Sequence, residues 1–185
     1  MAKKIIAAHG FFLRKVTGKV PRSEMLCGRR SPLNSEGKPR RFAGMWIGPG
    51  GVQEDGETPK QTMWREELEE YRTISDPDSF ELLGRVGYHY PENGDMVDWL
   101  VDLFRITEWS GMPEPGDGFD ELRWFRLNSL PYAEMMADMP IIVPELKLEQ
   151  PSNGKLFRAE FFYTDKTCRA IERHKIWFED RDTTG

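Results

Sequence analysis

The sequence lacks the features that mark secreted disulfide-rich proteins, membrane proteins and general nucleic-acid binders. It has only two cysteines, Cys27 and Cys168, so we expect reduced thiols and a cytoplasmic location. The longest apolar run near the N-terminus, residues 5–8, is too short for a signal peptide or a membrane span. The net charge is −5, whereas polymeric nucleic acid requires a basic surface. These absences exclude membranes and nucleic-acid polymers as partners, but they are compatible with a small nucleotide whose phosphates a metal ion carries.

No internal repeat or low-complexity linker divides the 185 residues. That length is sufficient for one domain with a sizeable core. Hydrophobic residues make up 38% and charged residues 31%, as in an ordinary globular protein. We therefore expect a single domain over residues 1–180 and a polar tail over residues 181–185. The sequence leaves the oligomeric state open, and a homodimer is compatible with it.

Alternating apolar residues and the spacing of turn residues predict a strand-rich chain with two helices. Asn93 and Gly94 mark a hairpin turn between two of the strands. One helix follows Thr58, and a short second helix is expected to begin within residues 131–136. This order predicts an α+β fold in which helices lie against a sheet. The predicted strands cover residues 4–13, 24–29, 45–52, 80–90, 96–108, 120–127, 155–163 and 167–177.

The first helix has favourable start chemistry. Thr58 suits the N-cap, Pro59 the first helical position, and Gln61 completes a capping box. At 100° per residue, four apolar residues share one face and the acids lie on the other. Glu67 falls inside the apolar face, and the sequence does not decide how it is accommodated. The predicted apolar face consists of Met63, Trp64, Leu68 and Tyr71.

Four acids lie within five positions of this helix: Glu66, Glu67, Glu69 and Glu70. On a solvated face, each like-charged pair costs only a few tenths of a kcal/mol. In a cleft with an effective dielectric near 20, a pair about 4 Å apart costs roughly 4 kcal/mol. A divalent cation would offset that cost, and carboxylate oxygens suit Mg²⁺ or Mn²⁺. The acids therefore form either a solvated surface or a metal site, and a run of acids taken alone favours the surface.

The residues around the acids favour the metal site, because together they resemble the box that defines the Nudix hydrolase family. That box has a glycine, a glutamate six positions later, and an Arg-Glu-x-x-Glu-Glu group beginning eight positions after the glutamate. Three positions depart from it: Glu67 replaces an aliphatic residue, Arg72 a glycine and Thr73 an aliphatic residue. None of the three is a metal-ligand position. The matching residues are Gly51, Glu57, Arg65, Glu66, Glu69 and Glu70.

The resemblance implies a Nudix fold, a mixed β-sheet sandwiched between helices, and a catalytic metal. It implies that three glutamates of the box hold Mg²⁺ or Mn²⁺ together with the carbonyl of Gly50. It further implies that Arg65 and Glu57 brace the loop and helix by an ion pair. Glu121 matches an acid outside the box that joins the metal site or serves as the general base, so Glu69 and Glu121 both stand as candidate bases. The metal-ligating glutamates would be Glu66, Glu69 and Glu70, with Glu121 as a further ligand.

Beyond the box, the chain is similar to the MutT-type, nucleotide-sanitising branch of that family. The similarity implies that Asp138 reads the edge of a purine base. Ile47 and Met136 stand at the asparagine and tryptophan positions of the base pocket, and Met139 replaces a second acid, which makes the pocket more apolar. The basic residues at positions 29, 30, 38, 40 and 41 form either a mobile loop or a clamp that binds phosphate, and Arg29 is the favoured phosphate-binding residue because it ends a strand.

The function implied by the resemblance is metal-dependent hydrolysis of a nucleoside triphosphate to a monophosphate and pyrophosphate. An oxidised purine nucleotide such as 8-oxo-dGTP is the first substrate to consider. ADP-ribose, nucleotide sugars and dinucleoside polyphosphates are alternative substrates. A non-catalytic domain that senses a nucleotide is a further alternative, although such domains tend to lose acids of the box and this chain retains them.

Overall fold

A computed structural model of the protein describes residues 3–18, 20–150 and 154–181. Within them, nine strands form one mixed sheet with two α-helices, which confirms the predicted α+β class. No helix in these ranges is long and apolar enough to cross a membrane. Apart from Arg181, the predicted tail lies outside the described residues. The elements are β1 (Lys3–Val16), β2 (Arg22–Arg30), β3 (Trp46–Ile47), β4 (Gly50–Val52), α1 (Pro59–Tyr71), β5 (Glu81–Glu92), β6 (Asp95–Ile106), β7 (Phe119–Arg126), α2 (Met139–Leu146), β8 (Lys155–Tyr163) and β9 (Ile171–Asp180).

The sheet runs in the order β3-β2-β1-β6-β5-β8-β9, with β4 paired to β1 and β7 paired to β2. The pairs β1–β6 and β5–β8 are parallel and the others are antiparallel. The β5–β6 hairpin turns at Asn93 and Gly94, both with positive φ, as their sequence predicts. The last strand begins at Ile171 rather than at residue 167, because residues 164–170 form the turn.

Two hydrophobic cores cover opposite faces of the sheet. Along β1, Ala7 and Phe11 belong to one core, while Ala8 and Phe12 belong to the other, since successive side chains point to opposite faces. Met63 of α1 packs in the second core, and four residues of α2 pack in the first. The sheet therefore lies between the two helices, as the family resemblance implied. The α2 residues in the first core are Met139, Ile142, Val143 and Leu146.

The second helix was predicted too early in the chain. Residues 131–136 contain only a short 3-10 turn, Tyr132–Glu134, and the α-helix begins at Met139. Pro140 stands in the first helical turn, where backbone N–H groups have no acceptor within the helix, so proline's lack of an N–H costs no hydrogen bond. Pro144 lies inside the helix and obscures the helical pattern in the sequence.

The capping box of α1 is confirmed, but its predicted faces are only partly correct. Thr58 Oγ1 accepts a hydrogen bond from the Gln61 N–H at 3.3 Å, and Gln61 Oε1 accepts one from the Thr58 N–H at 2.8 Å. Trp64 and Leu68 are each 38% exposed, whereas the carboxylates at positions 66, 67 and 70 are buried. The acidic side turns inward because backbone N–H groups, hydroxyls and arginines meet its oxygens.

Candidate functional site

The glycines of β4 allow α1 to approach the sheet closely. Gly51 pairs with Ala8 of β1, and a Cβ on Gly51 would lie 2.1 Å from Glu66 Oε1. A Cβ on Gly50 would lie 2.3 Å from the carbonyl oxygen of Ala8. Only glycine therefore lets the glutamate of the helix rest against the strand.

Arg65 and Glu57 form the ion pair that the sequence resemblance implied. Arg65 Nε lies 2.8 Å from Glu57 Oε1, and Thr62 Oγ1 donates to Glu57 Oε2 at 2.8 Å. Arg65 Nη2 also donates to the carbonyl of Val52 at 3.0 Å, so one guanidinium joins the loop, the helix and β4. The hydrogen bond from Arg65 lowers the pKa of Glu57 to about 2, so this carboxylate is charged at neutral pH.

Glu70 is buried between β2 and β4. Its Oε1 accepts from Arg30 Nη1 at 2.5 Å, and its Oε2 accepts from the Gly50 N–H at 2.8 Å. Burial raises the pKa of Glu70 to about 7, against the opposing effect of Arg30. The neighbouring charge of Glu66 raises it further. A cation at this position would therefore favour the ionised carboxylate.

Glu66 and Glu69 lie beside Glu70 at the same end of the helix. Glu66 Oε1 accepts from Arg65 Nη1 at 2.7 Å, and burial raises the pKa of Glu66. The side chain of Glu69 is 52% exposed and lies 3.3 Å from Arg65 Nη1. Glu66 and Glu70 are thus engaged by arginines, and within residues 3–18, 20–150 and 154–181 no three acidic, His or Cys side chains form a ready cation cluster. The donor set nevertheless fits a hard divalent ion, because carboxylate oxygens are what Mg²⁺ and Mn²⁺ prefer.

Glu66, Glu69 and Glu70 line a cavity of about 420 Å³. Four residues predicted to form a base pocket line the same cavity: Ile47, Met136, Asp138 and Met139. The structure thus brings these three glutamates and the predicted base-binding residues to a single concave surface. Its wall also includes Arg30 and Arg41 of the basic segment, together with residues that the sequence analysis did not select, among them His9, Tyr88, Trp99 and Asp117.

Asp138 is a buried carboxyl group with unused hydrogen-bonding capacity. Its side chain is 1% exposed, Oδ2 accepts from the Tyr88 hydroxyl at 3.0 Å, and Oδ1 has no hydrogen-bond partner among the described residues. Burial raises its pKa, against the opposing effect of the Tyr163 and Tyr88 hydroxyls. An unpartnered polar atom in such a place is costly, and a donor on a bound ligand would relieve that cost.

Arg29 and Glu121, two predicted site residues, do not line this cavity. They pair across β2 and β7, where Arg29 is exposed and lies over the Trp46 ring at 5.8 Å. Glu121 accepts instead from Arg123 Nε at 3.0 Å. Successive side chains of a strand point to opposite faces of the sheet, so the neighbouring Arg30 meets Glu70 while Arg29 faces away from it. The sequence shows two adjacent arginines and does not show which of them faces the helix.

His9 and Asp117 complete the glutamate end of the cavity. Burial lowers the pKa of His9 to about 4, so its ring is neutral at pH 7. The backbone N–H of Asp117 donates to the carbonyl of Glu69 at 2.9 Å, which places this loop beside the helix end. Neither residue has a spacing in the sequence that distinguishes it from a surface residue.

Three comparisons with known proteins agree with this arrangement. The model of the NUDIX domain family matches residues 11–146. The oxidized purine nucleoside triphosphate hydrolases of Danio rerio and Mus musculus are 34% and 31% identical over 104 residues, which is 55% of this chain. The matched part spans 62% of the length of each relative.

Solved structures share the fold at low sequence identity. The MutT protein from Bacillus halodurans has a TM-score of 0.70 and 19% identity, covering 93% of this chain and 97% of its own. The MutT NUDIX hydrolase from Burkholderia pseudomallei has a TM-score of 0.58 and 22% identity, covering 77% of this chain and 97% of its own.

Proposed function

The chain belongs to the NUDIX domain family, and from that membership we propose that it hydrolyses a phosphoanhydride bond of a nucleoside triphosphate. Water would add to one phosphorus while the bond to the next phosphate breaks, giving a nucleoside monophosphate and pyrophosphate. We further propose an oxidised purine nucleotide, such as 8-oxo-dGTP, as the substrate. The names of the two curated relatives and the buried Asp138 in the cavity support that choice.

One observation carries the proposal: a single cavity is lined both by three glutamates and by Asp138. The glutamates suit phosphates held through a cation, and Asp138 suits a nucleobase with N–H donors. Ile47, Met136 and Met139 offer apolar surface between specific polar contacts, which is the usual composition of a small-molecule site.

Glu66, Glu69, Glu70 and the carbonyl of Gly50 would hold Mg²⁺ or Mn²⁺. When bound, the ion would supply positive charge that offsets the charge developing on the phosphates. Arg30, now held by Glu70, would donate to a phosphate oxygen beside these glutamates. Arg65 would have a positioning role, because its hydrogen bonds to Glu57 and Val52 hold the helix in place and do not contact the substrate.

Of the two candidate bases, we propose Glu69, acting through the carboxylate oxygen that does not hold the ion. It lines the cavity and its side chain is half exposed, so a water molecule can reach it. Glu121 lies outside the cavity and is engaged by Arg123. A carboxylate in this position would take the proton of the attacking water.

A second candidate substrate class is another nucleoside diphosphate derivative. The apolar residues at positions 47, 136 and 139 give an adaptable wall with few directional contacts, which would tolerate other groups. We place this second, because the curated relatives are named for triphosphates.

The test is pyrophosphate release from a nucleotide panel in the presence of Mg²⁺, with wild type and Glu70→Gln compared. We expect Glu70→Gln to lower kcat by at least about 100-fold, because it removes a charged ligand and leaves Arg30 without its carboxylate. Glu134→Gln is the matched control, since Glu134 is exposed in the 3-10 turn before α2. Equal rates for wild type and Glu70→Gln would remove that glutamate from the mechanism. Thermal stabilisation by nucleotides without turnover of any compound would identify a sensor instead.

A further inference from the structure

A second cavity, of about 560 Å³, shares part of its lining with the first. Arg41, Phe42 and Trp99 line both cavities, so these three side chains form a shared wall. The glutamates that define the proposed phosphate end do not line the second cavity. A ligand group in this space would therefore lie away from the bond that is cleaved.

Arg41 is held rigidly in the shared wall by aromatic rings. Its guanidinium carbon lies 4.2 Å from the ring centre of Tyr90, 4.6 Å from that of Phe42 and 5.1 Å from that of Trp99. Its Nη1 donates to the Tyr90 hydroxyl at 2.6 Å, and Trp99 Nε1 donates to the same hydroxyl at 2.8 Å. The guanidinium is thus positioned before any ligand arrives, which limits the entropy that binding would cost.

Among the described residues, the positive charge of Arg41 has no acidic partner. No carboxylate among the described residues lies within 4.0 Å of its guanidinium nitrogens. Its Nη2 lies 3.4 Å from Cys168 Sγ, and burial raises the pKa of this thiol to about 11, so the sulfur is neutral. Its Nε is buried without a hydrogen-bond partner in the described chain. A partly buried cation without a counterion is costly, and an anionic group on a ligand would offset that cost.

The rest of the second cavity is also basic, in a chain whose net charge is −5. Besides Arg41, its lining includes Arg40, Lys166 and Arg169, with Glu92 as the acidic member. Lys166 pairs with Glu92 at 3.1 Å, and Arg40 pairs with Asp117 at 2.8 Å. Arg169 is exposed and makes no ion pair within the described ranges. Arg41 and Arg169 therefore leave two uncompensated positive charges around one concave surface.

We propose that this second cavity binds a second phosphate group of the substrate, carried on the nucleotide away from the phosphoanhydride that is hydrolysed. The inference rests on the proposed function, because it places the nucleotide in the first cavity. Guanidinium groups match phosphate oxygens in geometry and charge. The substrate class that fits is a nucleotide that carries a further phosphate on its sugar, because the phosphates of a dinucleoside polyphosphate all belong to the chain that is cleaved.

The experiment measures binding by calorimetry in Mg²⁺, with no turnover required. The probes are guanosine 5′-monophosphate, guanosine 3′,5′-bisphosphate and a methylene-bridged diguanosine polyphosphate, which resists hydrolysis and has all its phosphates in one chain. We expect the bisphosphate to bind wild type about tenfold more tightly than the monophosphate, as a charge-assisted hydrogen bond would give. Tighter binding of the bridged probe alone would show that only phosphates of the cleaved chain are bound and would overturn the second site.

Three variants show which residues cause the gain in affinity over the monophosphate. Arg41→Gln should abolish this gain in affinity, and Arg169→Gln should reduce it by about threefold, as expected for an exposed charge. Arg126→Gln is the matched control, because Arg126 is an exposed arginine on β7 that lines neither cavity, and it should leave the gain unchanged. If Arg41→Gln does not fold, Arg169→Gln alone decides, since its side chain lies on the surface.

The outcomes separate this inference from the proposed function. Hydrolysis of triphosphates together with equal affinity for all three probes would overturn the second site and leave the proposed function intact. The second site would also be overturned if the gain in affinity were the same in Arg169→Gln as in wild type. Binding of none of the probes, with no hydrolysis of any nucleotide, would instead refute the proposed function.

Discussion

Glu67 shows how a single residue can depart from a family pattern without loss of the fold. It stands at an aliphatic position of the box and is completely buried. Its Oε1 accepts from Ser75 Oγ at 2.8 Å, and Ser75 Oγ also lies 2.9 Å from the carbonyl of Glu108. The second oxygen, Oε2, has no partner among the described residues. The carboxyl is therefore tolerated by one hydroxyl contact while burial raises its pKa.

The raised pKa of Glu67 predicts a stability effect that depends on pH. Above the usual pKa of 4.5, the unfolded chain loses the proton first, so the folded state binds more protons and its free energy of unfolding falls as pH rises through the raised pKa. Glu67→Gln keeps the shape and removes the titration. We expect the variant to be more stable than wild type at pH 8, and that advantage to shrink toward pH 4.5.

Urea unfolding of both proteins at several pH values measures this difference. Glu66 and Glu70, whose pKa values are also raised, are present in both proteins, so their shared contribution cancels to first order. A stability difference that stays constant across this pH range would show that Glu67 does not titrate differently in the folded state.

At the scale of elements, the end of α1 links the acid cluster to the loop that follows β6. Arg72 adopts the left-handed conformation, with φ of 58°, at the position where the family pattern has glycine. The carbonyls of Glu69, Glu70 and Tyr71 accept hydrogen bonds from the backbone N–H groups of residues 117, 116 and 114. A Cβ on Gly116 would lie 2.0 Å from the Glu69 carbonyl oxygen. The loop therefore caps the helix end that carries two of the proposed ligands.

The left-handed residue at this cap predicts a stabilising substitution. Arg72→Gly should raise the free energy of unfolding by about 0.5–1 kcal/mol, because glycine adopts positive φ without steric cost. Arg72→Ala is the control, since it removes the exposed side chain but keeps a Cβ. Thermal and urea unfolding measure both, and an equal gain in the two variants would assign the effect to the side chain rather than to the backbone.

At the scale of the whole molecule, the last hairpin lies outside the residues that the family model matches, 11–146. Its strand β8 nevertheless pairs in parallel with β5 in the central sheet. Phe157 and Phe161 of β8 are buried in the core that packs against α2, and Cys168 of the connecting turn lines the candidate site. These contacts support our proposal that residues 1–180 form a single domain.

A single domain predicts that the hairpin contributes to global stability. Phe161→Ala should lower the free energy of unfolding by about 3–5 kcal/mol, because its ring is fully buried. Phe178→Ala on β9, whose ring is 47% exposed, is the matched control and should cost less than about 2 kcal/mol. A separate early unfolding transition in Phe161→Ala, with the main transition unchanged, would show that the hairpin folds as an independent unit.

The proposed ligands of the box were accessible to sequence reasoning because they are local. Glu66, Glu69 and Glu70 follow one another at helical spacing, and the Thr58 cap fixes where that helix begins. The partner of Arg65 was likewise implied by the fixed offset of Glu57. Such features depend on chain distance, which the sequence gives directly.

The sequence by itself determined the α+β class, the capped acidic helix and the glycine turn before it, because each depends on neighbours along the chain. Only the tertiary structure decided that Arg30 rather than Arg29 meets Glu70, that Glu121 points elsewhere, and that Arg41 stands between two cavities. Those outcomes depend on which face of β2 meets α1 and on the packing of segments far apart in the chain. A one-residue change in register reverses which side chains face the site, and the local sequence does not fix that register.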